Sequence, residues 1–320
     1  MNKILKISII MPTFNHSQFI GEAIESVLNQ TFKDFELIIV DNYSEDETKD
    51  IVESFNDKRI KYYLFHNNGI IAASRNYGIK KAKGKYLAFI DSDDVWFKDK
   101  LERQINCFRK YPSINFIFTS FKVISSDKTD SGKLLGPNKD VQGLLYKKLL
   151  NYNFIVTSSV VMHKSIVDNV GFFDESQELQ CVEDFDYWLR IAKKHEILGL
   201  SKPLGMYRIH NTNSGNNDQR LMKAFYVLDS QIQLASATKL EIDNAKANIY
   251  FREGWLLIDN DVVCARKYFK QSLKISNNFK IYTMCFIGIV FSFMPKIYSY
   301  FRVNNIDRKI GSIIFKIRNI

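Results

Sequence analysis

The 320-residue chain predicts an α/β fold: a mostly parallel central sheet with helices on both faces, and an all-helical region appended C-terminally. Three observations carry that expectation. Short runs that are apolar along nearly their whole length recur through the first third of the chain. Between them lie stretches whose apolar residues return at helical spacing. From Asn217 onward the periodicity is helical throughout. A strand apolar at every position, rather than every second one, is buried on both sides, as in a parallel sheet covered by its crossover helices. An apolar share of 46% and a charged share of 25% supply a core and exclude a disordered or fibrous chain.

The elements follow in order. Residues 7–11, bounded by Pro12, form the first buried strand. Residues 17–29 form the first helix, with Ile20, Ala23, Ile24, Val27 and Leu28 on one face. The next three strands are 36–40, 61–65 and 86–90, with helices at 46–55 and 72–82 between them. Strand-like runs at 116–123 and 154–162 precede a helix over 184–194. The C-terminal region reads as helices 219–237, 241–259 and 262–276. The last two resemble one tetratricopeptide-type hairpin through Gly254, Ala265 and Phe269, a single copy being too few for an array. The expected division is 1–215 for the sheet domain and 216–320 for the helical region.

The net charge is +10, and the segment 261–320 holds 11 Lys/Arg against 2 Asp/Glu, which leaves a nearly neutral body. A basic, aromatic-rich tail on a neutral body suits a membrane surface rather than a nucleic-acid groove, so no nucleic-acid partner is expected. The apolar run 281–294 stops at Pro295 and is shorter than the ~20 residues that cross a bilayer. With Lys296, Arg302, Arg308, Lys309, Lys316 and Arg318 around it, the run fits an interfacial segment; the alternative is a helix packed on the protein itself. Cys107, Cys181, Cys264 and Cys285 form no CxxC pair and fit reduced thiols. The N-terminal apolar run is too short for a signal-peptide core. A cytoplasmic protein, peripheral at the inner membrane face, is the expectation.

In a parallel α/β sheet, ligands bind beyond the carboxyl ends of the strands. There the sequence puts Pro12-Thr13-Phe14-Asn15 after the first strand, Asp41-Asn42 after the second, and Asp91-Ser92-Asp93-Asp94 after the fourth. Where a strand turns into a loop, two carboxylates can face one cleft. Two protein oxygens leave most of the coordination sphere of Mg²⁺ or Mn²⁺ open to a diphosphate. The competing reading is that Asp93 or Asp94 caps a helix beginning at Val95. On these residues alone both readings stand.

With further motifs added, the chain resembles the family 2 glycosyltransferases, which have the GT-A fold. The resemblance runs through Ser8-Ile9-Ile10-Met11-Pro12-Thr13-Phe14-Asn15, Ala23-Ile24-Glu25-Ser26-Val27-Leu28-Asn29-Gln30-Thr31 and Val40-Asp41-Asn42-Tyr43-Ser44. It continues through Asn68-Gly69, Ala73-Ser74-Arg75-Asn76-Tyr77-Gly78 and Gly84-Lys85-Tyr86-Leu87-Ala88-Phe89-Ile90-Asp91-Ser92-Asp93-Asp94. Gly171-Phe172-Phe173-Asp174-Glu175, Glu183-Asp184-Phe185-Asp186-Tyr187-Trp188 and Tyr207-Arg208-Ile209-His210 complete it, over about the first 210 residues.

The resemblance implies roles. Asp41 would accept a hydrogen bond from the nucleotide base, uracil offering an N–H, with Pro12 and Phe14 lining the base pocket. Many relatives carry Asp-Asp or Asp-Gly where this chain has Asn42-Tyr43, which puts the base contacts in doubt. Arg75 would reach the diphosphate, and Asn68 would help hold the same region. Asp91, beside Ser92, would bind ribose hydroxyls. Asp93 would hold Mn²⁺ or Mg²⁺, with His210 a third metal ligand or a diphosphate contact. Asp184 would be the general base, with Glu183 orienting the acceptor or holding Asp184. Local alternatives are a turn role for Asp41, a solvated Arg75, a packed His210, and simple helix-start acidity for Glu183, Asp184 and Asp186.

The implied reaction is inverting transfer from a nucleotide-diphosphate sugar, expected to be a UDP-sugar, to a glycan or lipid-linked acceptor in surface-polysaccharide synthesis. A nucleotidyltransferase would call for a glycine-rich loop after the first strand, yet no glycine occurs before Gly21. A non-catalytic sugar-nucleotide-binding module that recruits membrane partners would have no use for the Glu183-Asp184 pair. A P-loop NTPase is excluded for want of its motif.

Overall fold

A computed structural model describes residues 7–210, 217–258 and 261–293. In chain order the elements as far as Ile209 are β1 (Ile7–Thr13), α1 (Ser17–Leu28), β2 (Phe35–Asp41), α2 (Thr48–Ser54), β3 (Ile60–Leu64), α3 (Ile71–Lys81), β4 (Tyr86–Phe89), β5 (Val95–Trp96), α4 (Lys100–Lys110), β6 (Phe116–Ser125), β7 (Asp130–Leu135), β8 (Val141–Gly143), α5 (Tyr146–Asn151), β9 (Val161–His163), α6 (Ser165–Val170), α7 (Glu183–Lys194) and β10 (Ile197–Ile209). The sheet order is β3-β2-β1-β4-β9-β6-β10-β5, with β7 on β6 and β8 on β10. Strands β3, β2, β1 and β4 are parallel, as are β6 and β10; β9 joins the two groups antiparallel to both β4 and β6. From β1 the chain goes first toward β2 and β3, then returns to put β4 on β1's other side. That reversal opens a crevice at the carboxyl ends of β1 and β4.

Alternation along the strands explains the two covered faces. Ile7, Ile9 and Met11 with Leu37, Ile39, Ala88 and Ile90 pack against Ile20, Ile24 and Val27 of α1 and Leu101, Ile105 and Phe108 of α4. The residues between them face the other way. A Cβ added at Gly78 of α3 would lie 2.6 Å from Ile10 Cγ2, and Phe89 meets Trp188 of α7 edge-on. Gly78 thus lets α3 approach β1 closely.

Several expectations shift. Of the run 154–162 only Val161 and Met162 are strand, in β9. Thr157–Ser159 instead form a 3-10 turn in which Val160 N donates to Thr157 O and Ser159 Oγ to Val156 O. Hydroxyls that bond their own backbone compete with the sheet. No helix begins at Val95, because Val95 and Trp96 pair with β10, so the capping alternative for Asp93 and Asp94 fails. The second helix starts at Thr48 rather than Asp46, whose carboxylate accepts from Ser17 N and Thr48 N and so ties the starts of α1 and α2 together.

The chain passes from one compact unit to a second after Lys223, and Lys147–Asn153 belongs with the second. The helices that follow the sheet domain are α8 (Asn217–Gln233), α9 (Lys239–Leu257), α10 (Val262–Ile275) and α11 (Phe279–Phe293). Thr238 and Glu241 form a reciprocal cap at the start of α9, and Asp261 accepts from Cys264 N to cap α10. Phe251, Trp255, Ala265, Phe269, Ile281, Met284 and Cys285 make the core of this second unit. Of the tetratricopeptide-like trio, Gly254 meets Phe269, a Cβ there lying 2.7 Å from its ring, and Ala265 is buried in the same core. Among the described residues no helix is long and apolar enough to cross a membrane. Met294, Pro295 and the six basic residues beyond them lie outside the described residues.

Candidate active site

Three loops at the carboxyl ends of β1, β2 and β3 are stitched into one rim. Asn15 N donates to Ser44 Oγ at 2.9 Å, Glu45 N to Asn15 Oδ1 at 2.8 Å, and Asn67 N to Asn42 Oδ1 at 2.9 Å. The turns are sharp: Asn15, Tyr43 and Asn68 take φ of 50°, 58° and 53°. Asparagine tolerates that left-handed backbone; tyrosine does so at a cost of order 1 kcal/mol. The strained Tyr43 is 53% exposed and meets His66 edge-on, and Phe14 is 50% exposed. Pro12 is buried in β1, and Asn68 stands exposed on the rim.

Asp41 is used differently from the expectation. Its side chain is fully buried, with Oδ1 accepting from Ser44 N and Oγ and Oδ2 accepting from Tyr62 O–H at 2.5 Å. Burial and this bond push the Tyr62 phenol upward. A base N–H could donate to Asp41 only after displacing one of these donors. As it stands the carboxylate shapes the β2–α2 turn.

The turn after β4 is held from three sides. Asp91 N donates to Ser158 Oγ at 2.9 Å, and the same hydroxyl donates to Asp94 Oδ2 at 2.5 Å. Asp94 Oδ1 accepts from Arg208 N, and Arg208 Nε donates to the Asp93 carbonyl. Burial, with Asp93 and Asp91 alongside, pushes the Asp94 carboxyl well above the usual range. Ser92 is buried against His16, Nδ1 to Oγ at 2.7 Å. Asp93 Oδ2 lies 2.8 Å from His210 Nε2, and the His210 ring packs between Phe19 and His16.

Arg75 links this turn to the start of α7. Its terminal nitrogens donate to Asp91 Oδ1 at 2.9 Å and Glu183 Oε1 at 2.5 Å, with Arg75 only 3% exposed. The solvated reading of Arg75 therefore fails, and its guanidinium serves two carboxylates rather than presenting an open fork to phosphate. Next to Glu183, Asp184 accepts from Thr157 Oγ1 at 3.2 Å and from Phe185 N at 2.6 Å. Burial, then the neighbouring Glu183 charge, push Asp184 up to about 7, against the lowering pull of Arg75 and these two bonds. Two buried atoms here, Glu183 Oε2 and Arg75 Nε, have no hydrogen-bond partner among the described residues.

The Thr157–Ser159 turn thus touches both ends of the site: Ser158 holds Asp91 and Asp94, and Thr157 holds Asp184. It is braced from below by Trp96 Nε1 on Ser158 O and Gln104 Nε2 on Ser159 O. The buried Lys100 in turn donates to Gln104 Oε1. Of the residues that build the site, Thr157, Ser158, His16 and Tyr62 carry no site signal in the sequence, whereas Arg208, inside the Tyr207–His210 motif, is expected to add positive charge beside His210.

Among the described residues no group of three or more His, Cys, Asp or Glu is arranged to hold a metal ion. Asp93 and His210 do bring one carboxylate oxygen and one imidazole nitrogen to a single point, a donor pair that suits Mn²⁺ or Mg²⁺ when phosphate oxygens complete the shell.

The model of the family "Glycosyl transferase family 2" matches residues 8–171, from the second residue of β1 to just past the end of α6. The chain belongs to that family. Relatives agree. An uncharacterized glycosyltransferase of Rickettsia felis is 34% identical over 274 residues, covering 77% of this chain and 43% of that protein, so the chain spans less than half of that relative. The Escherichia coli protein WfgD, a UDP-Glc:alpha-D-GlcNAc-diphosphoundecaprenol beta-1,3-glucosyltransferase, is 31% identical over 255 residues, covering 79% of this chain and 92% of WfgD. Among solved structures, S. aureus TarS residues 1–349 in complex with UDP-GlcNAc aligns with a TM-score of 0.61 at 19% identity, covering 83% of this chain and 81% of that one. That likeness speaks for the fold, which is GT-A. The chain carries its acidic cluster at the crevice where this fold binds ligands.

Proposed function

We propose that the glycosyltransferase moves a sugar from a nucleotide-diphosphate donor, a UDP-sugar, to a hydroxyl of a glycan or lipid-linked acceptor in surface-polysaccharide synthesis, with inversion at the anomeric carbon. One observation carries this reading. The Asp91–Asp93 turn and the Glu183-Asp184 pair share a counter-ion, Arg75, and a brace, Thr157–Ser159, so donor and acceptor functions meet in one cluster. The chemistry is assigned to residues 1–215, with 216–320 as the helical region. UDP and the lipid-linked acceptor are supported by what WfgD is named for. Such an acceptor calls for peripheral contact at the inner membrane face.

In the proposed step the acceptor O–H gives its proton to Asp184 as its oxygen bonds to the anomeric carbon. The bond from that carbon to the diphosphate oxygen breaks on the opposite face, and its electron pair leaves with the nucleoside diphosphate. One displacement inverts the centre. A carboxylate pushed up to about 7 is matched to this task near neutral pH. Glu183 Oε2, buried and without a partner among the described residues, is the acceptor-side atom suited to orient a sugar hydroxyl. Asp91, the more exposed partner of Arg75, meets ribose hydroxyls beside Ser92. Phe14 and Tyr43 offer aromatic faces to the base near Pro12, and Asn68 lies on the rim nearby. Asp93 and His210 would hold Mn²⁺ or Mg²⁺, whose charge offsets that of the departing diphosphate.

The test is a panel of UDP-, GDP- and CMP-sugars with Mn²⁺ or Mg²⁺, scored by nucleotide release with and without chelator. The expected result is release from a UDP-sugar, abolished by chelator and restored by excess metal. Release that survives chelation removes the metal from the account. Tight donor binding with no release on any acceptor favours the non-catalytic module, and release of pyrophosphate favours nucleotidyl transfer.

A further inference from the structure

We propose that the outward face of α11 is a docking surface for an anionic lipid bilayer, with the helix lying along the membrane plane. Along α11 two faces separate cleanly. Ile281, Met284, Cys285 and Gly288 turn inward, where Gly288 lets the helix close on the Phe269 ring. Phe279, Tyr282, Phe286, Val290 and Phe293, spaced three or four residues apart, are 85%, 51%, 59%, 41% and 64% exposed. Among the described side chains of this helix, Thr283 is the other exposed position.

The neighbouring helix shows what a water-facing surface looks like in the same unit. The exposed positions of α10 include Lys267, Lys270 and Lys274. A helix that buries one apolar face in its own core and turns a second, aromatic one outward has a partner other than water. At 15 residues α11 is too short to cross a bilayer but suited to lie in its interface, where phenylalanine and tyrosine rings partition well.

Charge selects the occupant. The segment 294–320 carries Lys296, Arg302, Arg308, Lys309, Lys316 and Arg318 against the single acid Asp307. A second copy seated on this face would bring two such segments together. An anionic leaflet attracts them, each basic side chain near the surface adding to binding.

The proposal deepens the peripheral-contact part of the reading above. Its test reads lipid binding without turnover, so it can fail while the donor chemistry stands, and the reverse. The full chain is floated with vesicles of phosphatidylcholine alone and of phosphatidylcholine mixed with phosphatidylglycerol. Binding is expected to the mixed vesicles, to weaken as salt is raised, and to fall about ten- to hundredfold for each of Phe286→Ser and Phe293→Ser. Both positions are exposed, though the Arg266 guanidinium lies 4.1 Å from the Phe293 ring centroid, so unchanged donor-sugar hydrolysis for both variants, and unchanged melting for Phe286→Ser, are expected to show that they fold. A Tyr282→Trp reporter should gain emission that brominated lipid quenches. The proposal is overturned if the parent stays in solution with both vesicle types, or if Phe286→Ser and Phe293→Ser bind lipid like the parent. It is also overturned if light scattering shows a dimer that these substitutions disperse, which would make a second copy the occupant.

Discussion

Replacing Arg75 with glutamine keeps much of its length but removes the charge that two carboxylates share. In the folded protein the side chains of Arg75 and Glu183 are 4% and 7% exposed, while that of Asp91 is 28% exposed. Glu183 would lose the guanidinium it is bonded to where water cannot readily replace it, whereas Asp91 can be partly rehydrated. Removing one partner of a buried ion pair costs about 3–5 kcal/mol. For a domain of this size each kcal/mol is worth about 2–4 °C in melting temperature, so a drop of about 6–20 °C is expected. The same change takes away the cation that holds Asp184 down, so its carboxyl should rise above about 7. Arg75→Lys should fall between, since one ammonium cannot bridge both acids in the same geometry. Pairing Arg75→Gln with Glu183→Gln should recover part of the loss, which a double-mutant cycle reads as coupling. Thermal melts and pH–rate profiles of the set check the reasoning. An Arg75→Gln protein that melts within about 1 °C of the parent, with the same acid limb, would refute it.

Three further outcomes follow from the same geometry. The rate of transfer should fall on the acid side with an apparent pKa near 7, and Thr157→Val should move that limb upward, because its hydroxyl favours the ionised form of Asp184; a pH–rate series reads both. Asp184 binds its proton more tightly folded than unfolded, so its contribution to stability declines as pH rises from about 4 to about 7. Asp184→Asn should therefore be more stable than the parent near pH 8, by an amount on the order of 1–4 kcal/mol, and little different near pH 4, as denaturant melts at the two pH values would show. In β10, a Cβ at Gly205 would lie 2.4 Å from the Phe121 ring and 2.7 Å from the Val95 carbonyl, so Gly205→Ala should cost about 1–3 kcal/mol in an equilibrium unfolding curve.

Parts of the fold were open to reading because their physics is local. The runs at β1, β2 and β4 are buried at every position and apolar at most of them, and the helices between them repeat at helical spacing. What escaped depends on distant partners. Strand β10 contains Pro203 and two register shifts against β6, so no clean run announces its 13 residues. The turn at 157–159 is flanked by apolar residues and looks like strand until the Ser159 hydroxyl is seen bonding the Val156 carbonyl and those of Thr157 and Ser158 reaching distant carboxylates. The same holds at the site. Asp91, Asp93, Glu183 and Asp184 stand out by residue type, and family resemblance gave each a role. That Arg75 spends its charge on Asp91 and Glu183, the latter 108 positions along the chain, is written in no local pattern. Nor is the closure of Asp41 by Tyr62, or the brace of Ser158 between Asp91 and Asp94.

The most direct test of the account sets donor binding against transfer in Asp184→Asn. Calorimetric titration with UDP and with the active UDP-sugar should give affinities within about twofold of the parent, since Asp184 is assigned to the acceptor's proton and not to the donor. Transfer should fall by about 10²–10⁴. A variant that transfers at the parental rate, or one that fails to bind the donor, would contradict the assignment of Asp184 as the base.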